Sequence, residues 1–152
     1  MKVQTSRFGE IETRKEDIIV FPNGLIGFES SRQWIILPDP ENDDVAWFQS
    51  LSEPRIALPV VSPRKFVEDY KVSVTKRQLA TLHTRNSDRV FVLSVISKSG
   101  KTITMNLRSP IMVNLTQRLG CQVISADNLP IAVPLDLNSA EPVRVADRRK
   151  AA

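Results

Sequence analysis

The sequence predicts a single, mainly β domain, an antiparallel β-barrel or sandwich with one or two short helices. Three observations lead there. Short runs of β-branched and aromatic residues recur along most of the chain, breaks rich in Gly, Pro, Asn and Ser separate them, and no apolar pattern at helical spacing is long. Short strands with tight turns suit a closed or two-layered antiparallel sheet.

In chain order, Val3 to Phe8 and Glu10 to Thr13 alternate about Gly9 and predict a hairpin. Ile18, Ile19 and Val20 form the next strand, and Pro22, which cannot donate to a ladder, closes it. Strands are expected at Trp34 to Leu37, Val45 to Leu51 and Arg55 to Val61, cut by Pro38-Asp39-Pro40 and Ser52-Glu53-Pro54. Ser62 as cap with Pro63 at the first helical position predicts a short helix through Tyr70, and Thr75 is positioned to cap a second over Lys76 to Thr81. Strands follow at Arg89 to Ser97 and Thr102 to Leu107 across a Lys98-Ser99-Gly100-Lys101 turn, then at Ile111 to Asn114 and Cys121 to Ser125. Trp34, Trp47, Phe48 and Phe91 lie within these apolar strands and are expected in the core.

With 152 residues, 41% hydrophobic and 25% charged, one domain with its own core suffices. We divide the chain into a β domain over residues 1–134 and a mobile basic C-terminal tail over residues 135–152, because large apolar residues thin out after Pro134. The formal net charge is +4, and the stretch after Asn138 carries Arg144, Arg148, Arg149 and Lys150 against Glu141 and Asp147, half of that excess. The acidic group Asp39, Glu41, Asp43 and Asp44 reads as a solvated loop. No apolar run has the length of a signal peptide's core or of a membrane span, and a lone Cys121 excludes an internal disulfide, so the expected location is cytoplasmic.

Catalytic chemistry finds no constellation. His83, the single histidine, sits in the polar stretch HTRNSD, and Cys121 opens an apolar strand where a free thiol packs as a small hydrophobe. One His and one Cys do not supply zinc's three or four ligands, and no glycine loop is followed by the Lys-Ser/Thr pair of a phosphate site. The sequence therefore predicts no enzyme, cofactor, metal or small-molecule substrate. Binding remains, either to proteins or, as the alternative, to RNA through Lys and Arg on a β-barrel and its tail. RNA-binding barrels stack bases on aromatic platforms within a basic groove, and here the tail has no aromatic residue.

The most informative segment is IIVFPNGLIGFE, from Ile18 to Glu29, where two of five glycines flank bulky apolar residues in a turn. The second is NLRSPIMVN, from Asn106 to Asn114, a strand interrupted by Ser109-Pro110 and bracketed by asparagines. FPNGLIGFE, the N-L-x-x-P-I-x-x-N pattern with Gly120 and Gln122 after it, and Phe48-Gln49-Ser50 with Pro54 resemble the FliW family of flagellar assembly factors, over roughly Val3 to Ile124.

That resemblance implies a cytoplasmic adaptor that binds two proteins, flagellin and CsrA, the carbon storage regulator that represses flagellin translation. It implies that flagellin occupies the adaptor until exported, and that freed adaptor then captures CsrA and lifts repression, acting away from the RNA site and without contacting nucleic acid itself. The candidate partner-binding residues are Phe21, Pro22, Asn23, Leu25, Phe28 and Glu29 on the turn, and Asn106, Arg108, Pro110 and Asn114 on the interrupted strand. The apolar members are expected to anchor a partner, and Asn106, Arg108 and Asn114 to orient it by hydrogen bonds. Each asparagine equally suits a local turn-stabilising bond, and Arg108 a solvated strand position. Gly24 and Gly27 shape the backbone.

Overall fold

The computed structural model describes residues 1–137. Among these described residues eleven strands dominate: β1 (Lys2–Thr5), β2 (Gly9–Glu12), β3 (Ile19–Val20), β4 (Gln33–Pro38), β5 (Val45–Ser50), β6 (Ala57–Val61), β7 (Val90–Ser99), β8 (Thr102–Met105), β9 (Ile111–Asn114), β10 (Leu119–Gln122) and β11 (Val133–Leu135), with one short helix, α1 (Lys76–Leu79). β1 and β2 form the expected hairpin. The rest is one sheet in which β3, β4, β5, β6 and β7 pair in sequence order, antiparallel throughout. β7 also pairs with β9, β9 with β10, and β10 returns to β3 through one parallel partnership, Leu119 with Val20, so the ladder closes on itself.

β8 and β9 share one edge of the ten-residue β7: Thr102 to Met105 oppose Ser99 to Ile96, and Ile111 to Asn114 oppose Leu93 to Val90. Between them, residues 106–110 leave the ladder opposite only Ser94 and Val95, so the interrupted strand read from the sequence is one strand edge with a five-residue excursion. Gly100, at φ +62°, closes the β7–β8 hairpin turn.

Alternation of side chains gives this sheet two apolar faces. Enclosed by the closed ladder are Ile19, Phe21, Leu25, Trp34, Phe48, Val60, Ile111 and Val113, with Trp34, Phe21 and Phe48 excluded from solvent and meeting edge-to-face. On the outer face Val61, Ile96, Met105, Leu107 and Val133 are covered by Phe66, Val67 and Tyr70. A third cluster places Leu82, from the turn after α1, against Met112, Cys121 and Val123.

Several expectations are corrected. The helix expected through Tyr70 is one 3₁₀ turn, Pro63–Lys65, and the Ser62 side chain does not cap it. Phe66, Val67 and Tyr70 must all reach the same core, and the chain follows their burial instead of a helical path. The Tyr70 hydroxyl donates to the Leu107 carbonyl at 2.6 Å, and burial pushes its pKa up to about 12. α1 does begin at the Thr75 cap, whose hydroxyl accepts from the Gln78 N–H at 3.1 Å, but it gives way to a 3₁₀ turn over Ala80–Leu82. β10 lies earlier than Cys121 to Ser125, because Val123 and Ser125 donate instead to the Pro110 and Arg108 carbonyls of the excursion. Phe91 is 45% exposed, and Trp47 is half-buried under the Arg7 guanidinium, 4.1 Å above its ring. Leu135 belongs to β11, where it pairs with Ile103, and Leu137 packs on the outer core, so the domain extends past 134. The remainder of the expected tail, residues 138–152, lies outside the described residues.

Candidate functional site: a turn clasped to a strand excursion

The turn after β3 is built from two consecutive reversals. Phe21 accepts from the Gly24 N–H at 2.9 Å, with Pro22 and Asn23 in the central positions, where proline's fixed φ suits the first. Leu25 accepts from the Phe28 N–H at 2.8 Å, with Gly27 at φ +89°. Gly24 is constrained twice over: its φ is +67°, and a Cβ there would lie 2.6 Å from Glu29 Cα. Asn23 is not among the residues with positive φ, so the left-handed conformation falls on glycine alone within this turn.

The double turn divides its apolar side chains between inside and outside. Phe21 and Leu25 are fully buried in the enclosed core, so neither presents itself to a partner. Phe28 is half-buried, edge-to-face with Trp34 at 6.5 Å. Ile26, which was absent from the candidate residues, is 53% exposed. Pro22 is half-buried, Asn23 and Glu29 are exposed, and Glu29 Oε1 accepts from the Gly27 N–H at 3.1 Å.

In the excursion, Asn106 Oδ1 accepts from the Arg108 and Ser109 N–H groups at 3.0 and 3.1 Å. Arg108 is tied down, its Nε donating to the Leu129 carbonyl at 2.7 Å and Nη2 to Asn128 Oδ1 at 2.6 Å. Pro110 is buried. Asn114 is wholly buried: Oδ1 accepts from the Thr116 and Gln117 N–H groups, and Nδ2 donates to the Leu82 carbonyl and to Asp88 Oδ2. The bond from Asn114 holds the Asp88 carboxyl below its ordinary pKa. Asn114 therefore spends its whole amide on local architecture, and Asn106 its side-chain oxygen.

Gln122 joins the two segments. Its Oε1 accepts from the Ile26 N–H at 2.8 Å while its Nε2 donates to the Ser109 carbonyl at 3.0 Å, so one side chain clasps the turn to the excursion. Gly120 on the same strand serves the interior, since a Cβ there would stand 2.3 Å from Phe21 Cζ. Beside the clasp, Asn23, Ile26, Glu29, Gln78, Cys121 and Gln122 line a groove of about 290 Å³. Gln78 bounds it and donates to the carbonyl of Ile124, another exposed isoleucine. Cys121 donates weakly to the Gln78 carbonyl, and burial raises its thiol pKa, away from the thiolate a nucleophile needs. Among the described residues no group of three or more His, Cys, Asp or Glu side chains has the arrangement of a metal site, and no helix is long and apolar enough to cross a membrane.

The family model for the FliW protein matches residues 2–135, spanning both motif segments and the clasp. The chain belongs to the FliW family. A flagellar assembly factor FliW from Bdellovibrio bacteriovorus is 37% identical over 138 residues, which cover 89% of this chain and 79% of that one. One from Clostridium tetani is 38% identical over 126 residues, 82% of this chain and 87% of its own. A crystal structure of a flagellar assembly factor FliW superposes with a TM-score of 0.79 at 26% identity, covering 91% of this chain and 98% of that one. Within this FliW-family chain, sequence reasoning overlooked Ile26 and Gln122 as surface-forming residues. Gln122 was visible in the motif, but its bond to Ile26 spans 96 positions and only the fold brings the two together.

Proposed function

We propose that this FliW-family chain is a cytoplasmic, non-enzymatic adaptor that binds flagellin and CsrA in turn. Release of flagellin frees it to capture CsrA and relieve repression of flagellin synthesis. The observation that carries the reading is the clasped surface. The two family segments are joined through Gln122 into one face with Ile26, Asn23 and Glu29 exposed, beside a thiol whose pKa lies on the inert side. An exposed aliphatic side chain on a glycine-shaped turn suits a protein partner, with polar neighbours at its rim. Of the residues first assigned to binding, Asn23, Phe28 and Glu29 keep contact roles, while Phe21, Leu25, Pro110 and Asn114 shape the face from beneath.

One shared face makes the partners compete. Calorimetric titration of CsrA into the adaptor preloaded with flagellin is expected to show binding only as flagellin leaves, and a stable ternary complex would refute the exchange. CsrA capture away from its RNA site requires reciprocal coupling, so excess RNA should weaken capture only to a plateau. Unlimited competition by RNA would mean that the RNA site itself is occupied. Ile26→Asp is expected to weaken both partners while the melting temperature holds.

A further inference from the structure

The motif Phe48-Gln49-Ser50 with Pro54 takes no part in the clasp, and its place in the fold gives it a different task. It ends β5 where the turn re-enters the sheet: Ser50 opposes Trp34 of β4 in the ladder. Phe48 fills the enclosed core, whereas Gln49 and Ser50 are polar and wholly buried. Gln49 Nε2 donates to the Ser50 carbonyl at 3.0 Å and to the Pro54 carbonyl at 3.3 Å, closing the loop after β5 on itself. Ser50 Oγ accepts from the Glu53 N–H at 3.1 Å, and the Ser50 N–H donates to the Ile56 carbonyl at 3.0 Å. Side-chain bonds to the main chain thus stiffen this loop.

The stiffened loop grips the far end of the turn. The hydroxyls of Ser31, Ser50 and Ser52 form a triangle, in which Ser31 and Ser50 share a hydrogen bond and Ser52 lies 3.3 Å from each. Ser31 is also wholly buried, and its main chain is engaged on both sides. Its N–H donates to the Phe28 carbonyl at 3.1 Å, and its carbonyl accepts from the Trp34 indole N–H at 2.9 Å. The Trp34 ring in turn meets Phe28 edge-to-face, at 6.5 Å and 77°. Direct contacts therefore run from the Ser50 hydroxyl through Ser31 and the Trp34 indole to the half-buried ring of Phe28. Gln122 holds the turn at Ile26 and the serine cluster holds it at Phe28 and Ser31, so the turn is fastened at two points. Leaving a buried hydroxyl unpaired is costly, and the triangle accordingly favours one arrangement of the turn.

We infer that Ser31 and Ser50 are positioning residues: through Trp34 they set the orientation in which Phe28 is presented to a partner. That a partner meets Phe28 rests on the adaptor reading, whereas how the ring is held is a property of the free chain. The test compares the full parent chain with Ser31→Ala, Ser50→Ala and the double variant. Tyr70→Phe serves as a control, removing a buried hydroxyl bond from the outer cluster instead. In the free chain, each single variant is expected to speed exchange of the Trp34 indole proton at least about threefold and to move the Phe28 ring signals in NMR spectra, while the Ile26 amide, held by Gln122, keeps its exchange rate. Each should weaken flagellin and CsrA binding about fivefold in calorimetric titration, and the double variant should lose hardly more, because the two hydroxyls act as one unit. Tyr70→Phe should lower the melting temperature and keep the affinity. If Ser50→Ala folds poorly, Ser52→Ala replaces it with a loss of about twofold, since Ser52 is exposed and bonded to both hydroxyls. Unchanged indole and Phe28 signals, parental affinity in both single variants, or an equal loss of affinity in Tyr70→Phe would each overturn the assignment. A parent chain that binds neither protein would sink the adaptor reading instead, and the indole and ring signals of the free chain would then decide the role of the serines by themselves.

Discussion

Gly120→Ala tests whether the motif glycine of β10 serves packing. The added Cβ would stand 2.3, 2.5 and 2.7 Å from three atoms of the Phe21 ring, well inside van der Waals contact. The ring cannot retreat easily, because it is fully buried and wedged edge-to-face between Trp34 at 6.4 Å and Phe48 at 5.6 Å. Overpacking of this kind costs about 1–3 kcal/mol. A domain of this size unfolds with an entropy of roughly 0.3 kcal/mol/K, so the melting temperature should fall by about 3–10 °C. Urea unfolding followed by tryptophan fluorescence gives the same quantity at constant temperature. Phe21→Leu shortens the ring to a side chain that can yield, so adding Gly120→Ala to it should cost at least about 1 kcal/mol less than adding it to the parent. A fully stable Gly120→Ala, or additive effects in the double variant, would refute the clash.

Gln122→Ala removes both clasp bonds and should destabilise the domain by about 1–2 kcal/mol while accelerating amide exchange at Ile26, which is measurable by NMR. Asp88 has a lowered folded pKa, so its contribution is present above the unfolded carboxylate value and is lost as pH falls through the folded one. The stability gap between the parent and Asp88→Ala should therefore narrow below about pH 4 in denaturant titrations, and a gap that widens there would contradict the bond network. Deletion from Ser139 onward should leave the melting temperature nearly unchanged, because that stretch has few large apolar residues to bury; a large fall would show that it docks.

Read alone, the sequence determined the β class, most strand positions, the hairpin turn at Gly100, the Thr75 cap and the family, because alternation, turn residues and caps act over a few neighbouring positions. It also located both motif segments, whose unusual composition is local. The division of the turn into buried Phe21 and Leu25 and exposed Ile26 was not legible, since all are apolar and the sorting depends on how the ladder closes. Phe91 misled for the same reason: it has a strand residue's pattern, and its exposure depends on its place in the sheet. The asparagines offered two roles of similar local chemistry, and only the distances to Leu82, Asp88, Arg108 and Ser109 reveal the local bonds of the Asn114 amide and of the Asn106 oxygen. Gln122 marks the boundary most clearly. Its presence beside the motif is written in the sequence, but its function as a clasp is a contact between residues nearly a hundred positions apart, created when β10 is laid between β3 and β9.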